Sequence, residues 1–239
     1  MVTVTEKVID RIREGILDGI YAPGTHLHEA TMAADLGVSR TPIRDALRVL
    51  ANEALLVYYP NRGYFVRTVE ISDVFDAYDV RGTLEGLACR VVAERGLDDA
   101  QKTRFSDLIE LGDRIFASPR WTAEEQAAWR SLNSDFHFAI SEASNNRHLD
   151  PIMRQVRFFP RIFDSRLDPT SAFFQAVHTR EQRLRSHHDH QHIVEAIFRR
   201  EGARAESLMR EHVYVNRELL RRAIDASTAA GRGLVDAAE

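Results

Sequence analysis

Apolar residues return every three or four positions along most of the chain, the spacing of one helix face, and the pattern changes character near residue 70. Before that point the elements are short. Thr3 with Glu6 reads as a capping box, and Val8, Ile9, Ile12 and Ile16 then mark a first helix that ends near Gly19. Tyr21-Ala22-Pro23-Gly24 places proline and glycine where a type II turn takes them, and Leu27 follows in a short strand. A second helix runs from about Glu29 to Leu36, with Met32, Ala33 and Leu36 inward. Gly37 suits a helix end that needs positive φ, Ser39 or Thr41 can cap the next helix, and Pro42 stands in its first turn, where a missing N–H costs nothing. Leu55 to Tyr59 and Tyr64 to Val66 are β-prone runs on either side of Pro60-Asn61-Arg62-Gly63, a hairpin with Arg62 at its tip. Residues 1–70 are therefore expected to form a winged helix-turn-helix with a small two-stranded wing.

From Ser72 on, the pattern is helical throughout. Helix starts fall at Ser72, Asp98 with Gln101, Thr122 with Glu125, Asp150 before Pro151, and Thr179 with Gln182. Stops fall at Gly96, Asn145-Asn146 and Gly202, and residues 203–223 give one further helix. Pro160 is expected to break or kink the helix that contains it. The predicted fold class is mostly α: the winged head, an all-α antiparallel bundle of six or seven helices over residues 71–225, and a flexible tail rich in Ala and Gly over 226–239.

A chain of 239 residues has room for two such domains, and its formal charge of −4 means that any nucleic-acid surface has to be local. Leu36 to Arg67 holds five arginines against Asp45 and Glu53. In the third helix Ile43, Ala46, Leu47 and Leu50 share one face, while Arg40, Arg44 and Arg48 form a basic stripe roughly 100° away. A helix docked in the major groove needs that division. Its arginines reach guanine edges or phosphates, small hydroxyls such as Ser39 and Thr41 fit close to the backbone, and Arg62 on the wing reaches the minor groove or a phosphate. An ordinary amphipathic surface helix with solvated arginines is the alternative. Cys89, the single cysteine, rules out an intrachain disulfide framework, and no stretch reads as a signal peptide or membrane span, so a cytoplasmic protein with no membrane partner is expected.

The phrases Tyr21-Ala-Pro-Gly-Thr, Gly37-Val-Ser-Arg-Thr-Pro-Ile-Arg-Asp-Ala-Leu and Asn61-Arg-Gly-Tyr-Phe-Val resemble, in order and spacing, the GntR family of bacterial transcription regulators. The resemblance implies that Arg40, Thr41 and Arg44 contact an operator and that Gly63 lets the wing approach it closely. Ala30 departs from the pattern, standing where some members place an arginine, so this chain is expected to lack one DNA contact and to read a different half-site.

Ten histidines raise the question of a metal. His187, His188, His190 and His192 cluster, which more often marks a solvated face than a site. Phase separates them: Ile193 and Ile197 share the stripe of His190, whereas His188 and His192 point elsewhere. Asn133 and His137 stand four apart on the face of Phe136 and Ile140, and His212 lies between Leu208 and Val215 in the same inward phase. Three imidazoles and an amide oxygen from three helices can thus converge in the bundle. Such a set suits a divalent ion, zinc first, with nickel or another transition metal as alternatives, and leaves open coordination for a carboxylate. Three buried, hydrogen-bonded histidines are the other reading.

The blocks Leu132-Asn-Ser-Asp-Phe-His137, Ala143-Ser-Asn-Asn, His190-Gln-His-Ile-Val-Glu-Ala-Ile and Met209-Arg-Glu-His212 resemble FCD, the helical effector domain of the FadR subfamily of GntR regulators. The resemblance implies an aspartate and three histidines holding a divalent metal that helps anchor a small carboxylate effector, with Asn133 at the aspartate position. An amide is the weaker ligand, and Asp135 points to a different face. Arg81, in Tyr78-Asp-Val-Arg-Gly-Thr-Leu-Glu85, resembles an arginine the family directs into this cavity, with a surface pair to Glu85 as the alternative. Asn216, one turn beyond His212, can orient a ligand or cap its neighbour.

The expected function is an effector-controlled, DNA-binding transcription regulator, more often a repressor in this family, and not an enzyme. Its expected partners are operator DNA, a small organic acid and a second copy of the chain, the homodimer reading a near-palindrome with two recognition helices about one duplex turn apart. A sensor of the metal ion itself is one rival. A metal-dependent enzyme with a DNA-binding appendage is another, but HExxH and the paired Glu-x-x-His motifs of di-iron bundles are absent from the sequence.

Overall fold

The computed structural model describes residues 3–164 and 171–229. In chain order the elements are α1 (Val4–Leu17), β1 (His26–Leu27), α2 (Glu29–Leu36), α3 (Arg40–Asn52), β2 (Leu56–Tyr59), β3 (Gly63–Val66), α4 (Ile71–Arg95), α5 (Asp99–Ala117), α6 (Ala123–Ala143), α7 (Leu149–Asp164), α8 (Ala172–Val177), α9 (Arg180–Phe198) and α10 (Gly202–Ala229). The chain divides into two compact units. One takes the chain up to Ala77 together with the part of α7 from Arg154, and the other takes Tyr78–Met153 with α8, α9 and α10.

In the first unit the Thr3–Glu6 capping box opens α1, which packs on α3, and Ile12 and Ile16 of the one helix and Ile43, Leu47 and Leu50 of the other are buried. Arg13 fastens the two helices at a second point, with Nε and Nη2 donating to the two carboxylate oxygens of Glu53 at 2.9 and 2.8 Å. Gly37 ends α2 at φ 66°, and Ser39 takes the N-cap position of α3 without a capping bond from its hydroxyl. The sheet contains the expected hairpin wing, β2 and β3, and the short strand expected at Leu27 as its third member, β1. It has three antiparallel strands in the order β1-β3-β2, with His26 opposite Phe65 on one side of β3 and Val57 opposite Phe65 on the other. β1 is two residues long.

In the second unit the capping boxes at Asp98, Thr122 and Thr179 start α5, α6 and α9 as the sequence indicates. Phe105, Phe136, Ile140, Ile193, Ile197, Met209 and Val213 form a core with Ala88, Cys89 and Val92 of α4. Two expectations are corrected here. Gly202 opens α10 instead of closing α9, and the left-handed residue between the two helices is Arg200, at φ 62°. Alanine-rich sequence keeps α10 helical to Ala229, so residues 226–229 belong to the helix and not to the tail; residues 230–239 lie outside the described residues. In the part of α7 that belongs to the first unit, the helix runs through Pro160 without the break the sequence suggests, and burial of Phe158, Ile162 and Phe163 on the same segment offsets the lost hydrogen bond.

Candidate nucleic-acid interface and histidine centre

Helix α3 separates its two faces as its sequence demands. Ile43, Ala46, Leu47 and Leu50 are fully buried, while Ser39, Arg40, Thr41, Arg44 and Arg48 are exposed. Arg44 is nonetheless restrained: its Nε donates to both oxygens of Glu29 at 3.2 Å, and its Nη2 to Oε2 at 3.0 Å. That hydrogen bonding and the adjacent negative charge raise its pKa further above the usual arginine value. Arg62 is exposed at the hairpin tip, with its guanidinium carbon 5.4 Å from the centre of the Phe65 ring and 5.9 Å from that of Tyr59. Gly63 follows at φ 88°, and a Cβ there would lie 2.9 Å from Nε2 of His26, whose ring stacks on Phe65. The hairpin itself therefore needs the glycine, whatever it does at DNA. Arg67 contributes less to the interface than the arginine count suggests, since its Nε is committed to the carbonyl of Ala54 at 2.6 Å.

Helices α6, α9 and α10 bring His137, His190 and His212 together. All three are buried, and one ring nitrogen from each lies within 4.8 Å of the others. Aromatic packing fixes the middle ring: His190 stacks on Phe136 with centroids 3.8 Å apart and on Trp129 at 5.6 Å. A carboxylate lies beside Nδ1 of each neighbouring ring. Nδ1 of His137 lies 2.9 Å from Oε2 of Glu85, and Nδ1 of His212 pairs with Asp189 Oδ2 at 3.1 Å. Nε2 of His190 is buried with no hydrogen-bond partner among the described residues. Burial first, then the nearby His212 and His137, hold the His190 pKa well below the usual histidine range, so the ring is neutral.

Glu85 is the residue sequence reasoning undervalued. The pair it forms with Arg81, Nε to Oε1 at 3.3 Å, is buried rather than on the surface: the side chains are 1% and 12% exposed. Burial opposes the charge on Arg81, but Glu85 and Tyr78 outweigh it and raise the guanidinium pKa. Asn133 is half-buried one turn before His137, and its side chain makes no hydrogen bond among the described residues. Asn216 spends its amide on the fold, with Nδ2 donating to the carbonyl of His212 at 2.8 Å and Oδ1 accepting from Ser186 at 3.4 Å. Of the neighbouring histidines, His188 and His192 are exposed as their phase predicts. His187 is buried, with Nε2 against Asp113 at 2.8 Å and its ring on Phe116.

Known proteins match both parts of the chain. Residues 4–66 match the model of the bacterial regulatory proteins of the gntR family, and residues 76–214 match that of the FCD domain. The chain is 29% identical over 193 residues to the Nta operon transcriptional regulator of Aminobacter aminovorans, covering 81% of this chain and 83% of that protein. It is 24% identical over 205 residues to the HTH-type transcriptional repressor GlaR of Escherichia coli strain K12, covering 84% and 89%. Among solved structures, E. coli McbR/YncC shares the fold, with a TM-score of 0.72 at 21% identity over 94% of this chain and 100% of that one. Among the described residues no helix is long and apolar enough to cross a membrane. A winged head with an exposed arginine stripe, followed by an FCD bundle, places the chain in the GntR family of bacterial regulatory proteins, as a transcriptional regulator and not an enzyme.

Proposed function

We propose that the protein is a cytoplasmic homodimeric repressor, released from its operator by a small organic acid that binds beside a divalent metal at His137, His190 and His212. In the head, Ser39, Arg40, Thr41 and Arg44 meet base edges and backbone in the major groove, Arg48 meets phosphate, and Arg62 with Gly63 brings the wing against the minor groove. The exposure of those α3 side chains over a fully buried opposite face supports this assignment. The sign of regulation follows GlaR, a relative named as a repressor.

The observation that carries the regulatory half is the unpartnered, buried Nε2 of His190 beside two further imidazoles. A buried polar atom without a partner is costly, and a ligand that accepts its lone pair removes the cost. The hydrogen bond between Nδ1 of His212 and Asp189 favours the tautomer with the proton there, which leaves the Nε2 lone pair of that ring to act as a ligand, and the carboxylate of Glu85 lies beside Nδ1 of His137. Three neutral imidazoles fit a divalent ion, zinc before nickel or another transition metal, and the bound ion supplies open positions and positive charge for a carboxylate oxygen. Asn133 can add a neutral oxygen one turn before His137. Arg81 and Asn216 are the effector-side residues, Arg81 through the N–H groups not committed to Glu85.

A coupling of about 1–3 kcal/mol between this site and the head changes operator affinity roughly 5- to 150-fold. The test is a thermal-shift screen of carboxylates, sugar acids and amino acids on zinc-loaded protein, with hits retested for release of a duplex selected from genomic DNA. An acid that releases DNA only from the zinc-loaded protein supports the proposal. Release by zinc alone makes the ion the signal, and release by neither refutes control through this site.

A further inference from the structure

We infer that Glu29 is a positioning residue for DNA reading: it holds the guanidinium of Arg44 in one orientation before DNA arrives and so raises sequence preference at the expense of bulk affinity. The inference rests on the reading that Arg44 contacts the operator. Arg44 is 67% exposed, a setting in which an arginine ordinarily samples many rotamers that must be frozen on binding. Here the first residue of α2 fixes it in advance through both Nε and Nη2.

The guanidinium offers five N–H donors in one planar fork. Glu29 occupies the edge made by Nε and one Nη2 hydrogen, and among the described residues Nη1 makes no hydrogen bond. The edge left over, Nη1 with the second Nη2 hydrogen, carries two parallel donors in a fixed plane, the arrangement that matches O6 and N7 of guanine. Glu29 also sets a negative charge beside a polyanion. That repulsion weakens every complex, and only a duplex that presents the matching acceptors gains the pre-oriented contact that offsets it, so wrong sequences lose more than the right one.

The test uses the full chain and a random duplex library of roughly 30 bp, about three helical turns. Wild type selects a sequence, and Kd is then measured for that duplex and a scrambled one with wild type, Glu29→Gln, Arg44→Ala, Arg44→Lys and the Glu29→Gln/Arg44→Lys double variant. Glu29→Gln is expected to tighten binding to the scrambled duplex and to lower the selected-to-scrambled ratio by roughly five- to tenfold, the lower range for one bidentate base contact. That loss disappears in the Arg44→Lys background, because lysine has no fork to orient. The unfolding midpoint stays unchanged, as expected for an exposed pair. Equal tightening on both duplexes would mean that Glu29 merely competes with DNA for Arg44, and the inference falls. A ratio loss that survives in the Arg44→Lys background overturns it as well. If Arg44→Ala leaves the selected sequence unaltered, the assignment of Arg44 as a base contact fails first and takes the inference with it.

Discussion

Glu85→Ala probes the pair on which the histidine centre leans. The carboxylate is almost wholly buried, and it faces both the Nε of Arg81 and the Nδ1 of His137. Truncation leaves a buried guanidinium without the charge that offsets its desolvation and takes the carboxylate away from the imidazole. Removing one partner of a buried ion pair costs about 3–5 kcal/mol, a large share of the roughly 5–15 kcal/mol by which a folded protein is stable. The same change loosens the orientation of His137, and loss of such an orienting partner typically weakens metal binding about 10- to 100-fold. Urea unfolding of the metal-free protein measures the first effect, and zinc competition against a chromophoric chelator measures the second. Glu85→Gln keeps an acceptor but not the charge and should fall between wild type and alanine. The double replacement Arg81→Met/Glu85→Leu should recover at least half of the stability loss, since exchanging a buried pair for apolar side chains is often neutral or better. A cost for Glu85→Ala below about 1 kcal/mol, the value of an exposed pair, would refute the reasoning. So would a double variant no more stable than the single one.

His190→Ala should abolish bound zinc, read by elemental analysis, and blunt any response to an organic acid while leaving DNA affinity in its absence unchanged; retention of full metal content would remove His190 from the ligand set. The metal-free protein should lose stability in acid, because His190 and His178 are held neutral by the fold, His178 with a pKa pushed down to about 3 by burial and then by Arg183 and Arg130. A histidine with a depressed folded pKa contributes fully above about pH 6.5 and loses that contribution as pH falls below it, so going from pH 7.5 to 5.5 should cost about 1.4 kcal/mol for each ring. A flat urea midpoint across that range contradicts the burial argument. Gly112→Ala should destabilise by about 1–3 kcal/mol or more in the same assay, because its Cβ would overlap the His187 ring, which is pinned against Phe116; an unchanged midpoint would mean that α5 and α9 pack more loosely than described.

The elements that were legible in the sequence are those whose signals are local. Capping boxes at Thr3, Asp98, Thr122 and Thr179 set helix starts correctly, and the phase of Ile193 and Ile197 was enough to sort buried His190 from exposed His188 and His192. The convergence of His137, His190 and His212 was legible for the same reason, since each carries its inward phase in its own helix. What escaped depended on neighbours distant in sequence. Glu85 sits four residues after Arg81 and reads as half of a surface pair until α6 brings His137 against it. His187 lies next to an exposed histidine, and only Gly112 on α5 makes room for its ring. Gly202 resembles a helix stop, yet the turn is made by Arg200 and the glycine serves close packing against Glu94 and Arg90. The six-residue α8 is too short to show a period at all.

The most direct test of the whole account measures Kd for the selected duplex by fluorescence anisotropy in four states: zinc-loaded and chelated protein, each with and without the acid that scores highest in the thermal-shift screen. The account predicts tight, sequence-preferring binding that the acid weakens at least fivefold in the zinc-loaded protein and leaves alone in the chelated one. The same Kd in all four states would contradict it.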